Sequence, residues 1–234
     1  ALNQLLSKLS HALAREKRIT SDAAHELRTP LAAVKIHAEL AKTATNKEDR
    51  IDSINHVLLG IDRTTHLVDQ ILTLARLEPD NFSNKLQPVS LTNLVIDEVA
   101  MLVPLAHAKE VEISICKSEA LTIIAEDTSL RLLIRNLLNN AVSYTQEKGE
   151  VEVFIEKLDD KACLVIQDNG PGISAEDRER VLQRFYRVEN HKTPGCGIGL
   201  SIVMSVVELL KANFKMEDSS AETGLKVTVC FAAK

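Results

Sequence analysis

Two domains are predicted from this sequence: an all-α helical hairpin forming a dimeric four-helix bundle, followed by an α+β sandwich of one sheet and a few helices. Three observations carry that prediction. From Ile51 the apolar positions run Ile51, Ile54, Leu58, Ile61, Thr65, Val68, Leu72 and Ala75, an unbroken heptad seam with one polar member. Leu77-Glu78-Pro79-Asp80-Asn81 then closes the helical pattern, with proline just past the stop. Beyond it the apolar period changes from helical to alternating.

The first helix offers Leu2, Leu6, Leu9 and Leu13, and then Ala24, Leu27, Leu31, Val34, Ala38 and Ala41. The polar stretch 42–49 suits a hairpin turn into the second helix. One hairpin of two long helices leaves an apolar stripe that it cannot bury alone. Two hairpins can bury it, so a homodimer is expected, the alternative being a hairpin lying on its own C-terminal domain. In the second half, 111–115, 151–155 and 227–231 alternate with period two and read as half-buried strands. The continuous apolar run 162–166 reads as a more central strand. Helical patterns occupy about 91–109, 128–144 and 200–211.

Composition removes several function classes. Aromatic residues make up 3% of the chain with no Trp, and the formal net charge is −5 without any basic cluster. Both argue against nucleic acid as a direct partner. Cys116, Cys163, Cys196 and Cys230 show no metal-ligand spacing, so neither structural disulfides nor zinc are expected, and a reducing cytosol fits best. No apolar run approaches the ~20 residues of a membrane span. The chain starts at Ala1 in mid-pattern of a helix and reads as a fragment whose upstream region is missing.

Chemistry-bearing residues cluster late in the chain. Asp168-Asn169-Gly170-Pro171-Gly172 follows the apolar strand directly, and Gly195-Cys196-Gly197-Ile198-Gly199-Leu200 opens the next strong helix. Glycines ahead of a helix N-terminus let backbone N–H groups approach an anion, which the helix dipole also favours. Neither cluster is a dinucleotide fingerprint or a P-loop. Asn136 and Asn140 are four apart on one helix, so their amides share a face, a placement that helix propensity alone does not favour. Neutral oxygen ligands for a Mg2+ that accompanies a triphosphate would account for them.

HELRTP, NLLNNAVSYT, DNGPG, RFYR and GCGIGLSIV, in this order and spacing, resemble the boxes of bacterial two-component sensor histidine kinases, closest to the QseC-type and PmrB-type sensors that signal to OmpR-like response regulators. The resemblance implies that 1–18 end a HAMP-type signalling helix. It implies a dimerisation and histidine-phosphotransfer domain over 19–80 and a Bergerat-type ATP-binding domain over 81–234. The whole protein would be a bacterial inner-membrane receptor, with this chain its cytoplasmic portion and the sensor region missing. Its implied cofactors are ATP and Mg2+.

The implied catalytic residues are His25 as phospho-acceptor, Glu26 as its hydrogen-bond acceptor and Thr29 as a phosphatase residue. Asn136 would ligate the metal, with Asn140 and Tyr144 beside the nucleotide. Asp168 would take the adenine amino group, with Gly170 and Gly172 shaping the turn. Gly195, Gly197, Gly199 and Leu200 would meet the phosphates under a lid carrying Arg187 and running from Gly172 to about Pro194. The expected activity is autophosphorylation of His25 and transfer to an aspartate of a response regulator, with regulator phosphatase activity. The alternative is an ATP-binding module acting mainly as phosphatase or scaffold. Five features depart from the family pattern: Ser143 where Lys is common, Leu182 where Phe is, Cys196 where Ser or Thr is, Ile198 where Leu is, and a last glycine box reduced to Thr223-Gly224-Leu225. Pro30 leaves the Glu26 carbonyl without its donor, so a bend is expected beside His25.

Overall fold

The computed structural model describes residues 27–76, 86–188, 197–219 and 223–232. It divides into two compact units, Ala1–Thr73 and Leu74–Lys234. In the first, helix α1 runs over 27–43 and α2 over Lys47–Arg76. The turn between them is made by Asn46, whose Oδ1 accepts the Asp49 N–H at 2.7 Å, while Glu48 and Asp49 meet the positive pole of α2. α1 continues without a break through Pro30; His25 and Glu26, where the bend is expected, lie outside the described residues.

The two helices meet along a seam of small and medium residues. Leu27, Pro30, Val34, His37 and Ala41 are half-buried on α1, opposite Ser53, Val57, Gly60, Thr64 and Leu67 on α2. Gly60 makes room for Val34, whose Cγ2 lies 2.5 Å from where a Cβ would stand. The rings of His37 and His56 stack across the same helix pair at 4.6 Å. The heptad residues Ile51, Ile54, Leu58, Ile61 and Val68 are therefore not the ones that face α1. They are exposed, as are Leu31, Ile36 and Leu40. The unburied stripe expected of a single hairpin is present.

The second unit runs β1 (Gln87–Ser90), α3 (Leu91–Ala108), β2 (Glu112–Ser118), β3 (Thr122–Ala125), α4 (Asp127–Tyr144), β4 (Glu150–Leu158), β5 (Lys161–Asp168), α5 (Gly199–Leu210), β6 (Asn213–Asp218) and β7 (Leu225–Ala232). A five-stranded sheet has the order β2-β4-β5-β7-β6, antiparallel except for the β2–β4 pair. The apolar run 162–166 is its middle strand. β1 and β3 pair separately, below the length at which alternation can be read from sequence.

One sheet face carries the core: Val151, Val153, Ile155, Leu164, Ile166, Val227 and Val229 pack with Leu94, Val95, Leu133, Leu137 and Val203 of the helices. α3 has the length and hydropathy of a short membrane span, and it is a core helix, with Leu91, Leu94, Val95, Val99, Leu102 and Ala106 buried. Its one deeply buried acid, Glu98, is held by Arg135 Nε at 2.8 Å and Arg131 Nη1 at 3.4 Å, both from α4.

The expectation of no disulfide is corrected. Cys163 and Cys230 are direct partners across the antiparallel β5–β7 ladder and form a disulfide. Strand alternation puts both on the face opposite the Leu164 and Val229 side chains. Cys116 is a free, exposed thiol. Residues 67 apart in sequence become neighbours only through strand register, which cysteine spacing does not encode. Closing a loop of that size contributes about 2–4 kcal/mol relative to the reduced chain.

Candidate nucleotide site

α4 supplies one wall. Its Glu126 N-cap accepts the Ser129 N–H at 2.6 Å, and Leu130, Leu133, Ile134, Leu137 and Leu138 anchor its inner face. Asn136 is buried, and its Nδ2 donates to the Leu132 carbonyl at 2.8 Å. The amide oxygen is thereby the atom presented to Gly199. A Cβ at Gly199 would lie 3.1 Å from Asn136 Oδ1 and 3.4 Å from Asn140 Oδ1, so glycine is what allows α5 to begin against both amides. The N-cap of α5, Ile198, provides no side-chain acceptor, and no acid occupies the first turn. The Asn136 oxygen and the Asn140 amide, whose oxygen and nitrogen stand 3.4 and 3.5 Å from that Cβ position, thus sit beside the start of a helix whose N–H groups carry positive partial charge. This pairing suits a divalent cation held together with phosphate oxygens.

Asp168 closes β5 and forms a second wall. It is buried, and one carboxylate oxygen, Oδ1, accepts the Gly170 N–H at 2.9 Å and the Leu225 N–H at 3.2 Å. Burial pushes its pKa above the usual aspartate value, and the two N–H groups oppose the shift. Gly224, at φ +130°, packs so tightly that a Cβ would fall 1.9 Å from the Asp168 carbonyl oxygen. The Gly224 carbonyl in turn lies against Gly172. Asn169 Oδ1 accepts the Glu150 N–H at 2.9 Å, fixing the turn to the start of β4.

The walls are continuous through the C-terminal end of α4. A Cβ at Gly170 would stand 3.0 Å from both Asp168 Oδ1 and the Tyr144 carbonyl. One helix face therefore leads from the Asn136 and Asn140 amides at Gly199 to Tyr144 at the Asp168 turn.

The described part of the predicted lid, 172–188, is an ordered loop organised by Asp177. Its carboxylate accepts from Ser174 Oγ at 3.0 Å, Tyr186 OH at 2.8 Å and Arg180 Nη1 at 3.3 Å. Those donors, Tyr186 first and then Ser174, hold its pKa below the ordinary value. The Arg180 guanidinium also lies over the Tyr186 ring at 4.4 Å. Phe185 N–H donates to the Gly197 carbonyl at 2.8 Å, joining this loop to the glycine segment that opens α5.

Of the predicted site residues, Asn136, Asn140, Tyr144, Asp168, Gly170, Gly172, Gly197 and Gly199 are brought together. Leu200 is half-buried and packs on the core, and Arg187 is half-buried beside the Phe185 loop. Thr29 is exposed on α1. His25, Glu26 and Gly195 lie outside the described residues. Asn169 and Asp177 were not singled out by sequence reasoning as site residues, whereas Gly224 stands there in the reduced glycine box Thr223-Gly224-Leu225 ahead of β7.

A family model described as the histidine kinase-, DNA gyrase B- and HSP90-like ATPase matches residues 125–234. A second, the His Kinase A phospho-acceptor domain, matches 15–80. The sensor protein kinase PmrB of Pseudomonas aeruginosa is 36% identical over 229 residues, covering 97% of this chain and 48% of that protein. The sensor protein QseC of Salmonella typhi is 36% identical over 211 residues, 89% of this chain and 46% of that protein. The chain thus spans about half the length of the curated relatives it matches. Among solved structures, full-length ShkA in complex with AMPPNP aligns at 26% identity and TM-score 0.67, covering 93% of this chain and 46% of that one. The cytoplasmic segment of the histidine kinase QseC aligns at 26% identity and TM-score 0.52, covering 74% of this chain and 95% of that one.

Proposed function

We propose that this chain, which belongs to the sensor histidine kinase family and carries both its phospho-acceptor and its ATP-binding modules, uses ATP to phosphorylate its own His25 and passes the phosphoryl group to an aspartate of a response regulator. The observation that carries the reading is the single α4 face that joins two amide oxygens and a helix N-terminus at one end to a buried carboxylate at the other. A phosphate chain and an adenine amino group are a pair of ligands that such a face would separate and bind together.

Phosphoryl transfer asks a protein mainly for positioning and charge stabilisation. Asn136 would hold Mg2+ through its amide oxygen, with Asn140 beside it toward the phosphates. When bound, the ion neutralises phosphate charge. The first N–H groups of α5 orient the same phosphates. Asp168 selects adenine, because its free carboxylate oxygen accepts an amino hydrogen where guanine carries a carbonyl. His25 must attack as the neutral imidazole, because a protonated ring has no lone pair to offer. Glu26 would accept the ring Nδ1–H, leaving Nε2 as nucleophile and then stabilising the imidazolium.

The exposed position of Thr29 on α1 supports a regulator phosphatase role, with the side chain orienting water against an acyl phosphate. The exposed stripe of α1 and α2 supports a homodimer. The motif resemblance further implies an OmpR-like regulator and a membrane-anchored receptor of which this would be the cytoplasmic portion.

Incubation with γ-labelled ATP should label the chain in an acid-labile form, and His25→Ala or Asn136→Ala should reduce labelling at least about 100-fold. Mixing the two variants should restore it if transfer crosses between copies. Label that survives in His25→Ala would overturn the assignment.

A further inference from the structure

The last turn of α4 contains no basic residue, yet its carbonyls are accounted for. The Ala141 carbonyl receives the Thr145 N–H at 3.0 Å and the Thr145 hydroxyl at 2.7 Å. The next carbonyls, which a helix end leaves without intrahelical partners, are met from outside the helix. Lys109 Nζ donates to Val142 O at 2.9 Å, to Thr145 O at 2.6 Å and to Ser143 O. The remaining carbonyl, that of Tyr144, is the one against Gly170. Lys109 also ends α3, its own N–H bonding Ala106 O at 3.1 Å and Leu105 O at 3.2 Å. One residue thus terminates both helices, with an ammonium at the negative pole of α4.

We infer that Lys109 is a positioning residue for the nucleotide site, its side chain setting the station of α4 between Gly170 and Gly199. The inference rests on the nucleotide reading above. Its force comes from the clearances at the two ends of the same helix face. The Asn136 amide oxygen lies 3.1 Å from where a Cβ at Gly199 would stand and the Tyr144 carbonyl 3.0 Å from where one at Gly170 would, with Asn140 at ordinary contact distance. A helix so confined cannot slide or fray by an ångström without moving the amide oxygens off the phosphate side or the Tyr144 turn off the adenine side. Displacements of that size reduce rates and affinities on the order of 100-fold. Ser143 leaves α4 without a basic residue of its own at this end, so the cation that fixes the turn comes from α3. Its ammonium hydrogen-bonds to backbone carbonyls, with Coulombic attraction from Glu147 beside them, and it therefore acts through α4 rather than on a substrate.

The test uses the full chain and Mg2+–ATP as the probe, with binding measured by calorimetry and labelling followed at saturating ATP. Lys109→Met should raise the dissociation constant and the KM for ATP about 10-fold or more and lower the labelling rate at saturation by a similar factor. Lys109→Arg, which keeps a cation and several donors, should stay within about 3-fold of the original chain. Lys109→Gln keeps neutral donors and should fall between the two; it serves where Lys109→Met does not fold. Glu98→Gln loosens α3 from α4 without touching the site, and should lower the melting temperature with affinity within about 2-fold. The inference is overturned if a folded Lys109→Met or Lys109→Gln binds Mg2+–ATP like the original chain. It is equally overturned if Glu98→Gln loses affinity in step with its melting temperature, which would make the effect one of general stability. Failure of the unsubstituted chain to bind Mg2+–ATP would sink the nucleotide reading and this inference together, whereas failure of the inference alone leaves that binding intact.

Discussion

Asp168→Asn is expected to fold at least as stably as the original chain and to lose ATP binding at least about 100-fold. The structural duty of Asp168 is to accept N–H groups from Gly170 and Leu225 on one oxygen, and an asparagine carbonyl oxygen does that equally well. The second atom decides the outcome. A carboxylate oxygen accepts the adenine amino group, whereas an amide NH2 would oppose one donor with another. The stability change follows from the raised pKa. Because the folded carboxyl holds its proton to higher pH than the unfolded one, its contribution to stability is full below the unfolded value and is lost as pH rises through the folded value. At pH above the folded value the burial that raises the pKa is a cost that asparagine removes. Thermal melts at acidic and neutral pH, paired with titration calorimetry, check both halves. A large fall in melting temperature with affinity intact would reverse the assignment.

Gly224→Ala should be the most damaging single methyl group in the sandwich. At φ +130° an L-residue is strained wherever it sits, and here the added carbon would overlap backbone: the Asp168 carbonyl oxygen at 1.9 Å, its carbon at 2.8 Å and Asn169 Cα at 3.0 Å. Backbone cannot rotate away as a flexible side-chain end can. A loss of about 3 kcal/mol or more is expected, equivalent to a fall on the order of 10 °C in melting temperature. ATP affinity should fall with it, since Leu225 N–H is carried off Asp168. Thr223→Ala, one residue earlier and exposed, should change stability by less than about 0.5 kcal/mol. Chemical denaturation of the three chains side by side would measure the difference, and equal midpoints for the two variants would show that the turn is slack.

The parts of this site legible in the sequence are those in which local spacing is itself the geometry. Asn136 and Asn140 are one turn apart, so their shared face follows from helical period alone. Asp168 is visible because an acid immediately ends an apolar strand. What could not be read depends on register between distant segments. Cys163 meets Cys230, Lys109 reaches the end of α4, and Gly224 lies on Asp168 only once the strands and helices are in place. The hairpin shows the same limit differently. Its heptad pattern is real, but it marks a face turned away from α1. The helices meet instead along Ser53, Gly60 and Thr64, which a search for apolar periodicity passes over. The two short strands β1 and β3 are too brief for alternation to register.

The exposed stripe of the hairpin has a further consequence, in mass action. Among the described side chains of α1 and α2, Leu67 is the one large apolar group the chain fully buries by itself, while Leu31, Ile36, Leu40, Ile54, Leu58 and Ile61 await a second surface. Each such side chain, once covered, contributes about 1.5–3 kcal/mol. If a second copy provides that cover, the phospho-acceptor unit has no single melting temperature. Its midpoint climbs with the logarithm of protein concentration, while that of the sandwich, with its own closed core, stays put. Dilution would then dissolve the acceptor fold before it touched the nucleotide fold. The concentration of this chain would then set whether half of the machine is folded at all.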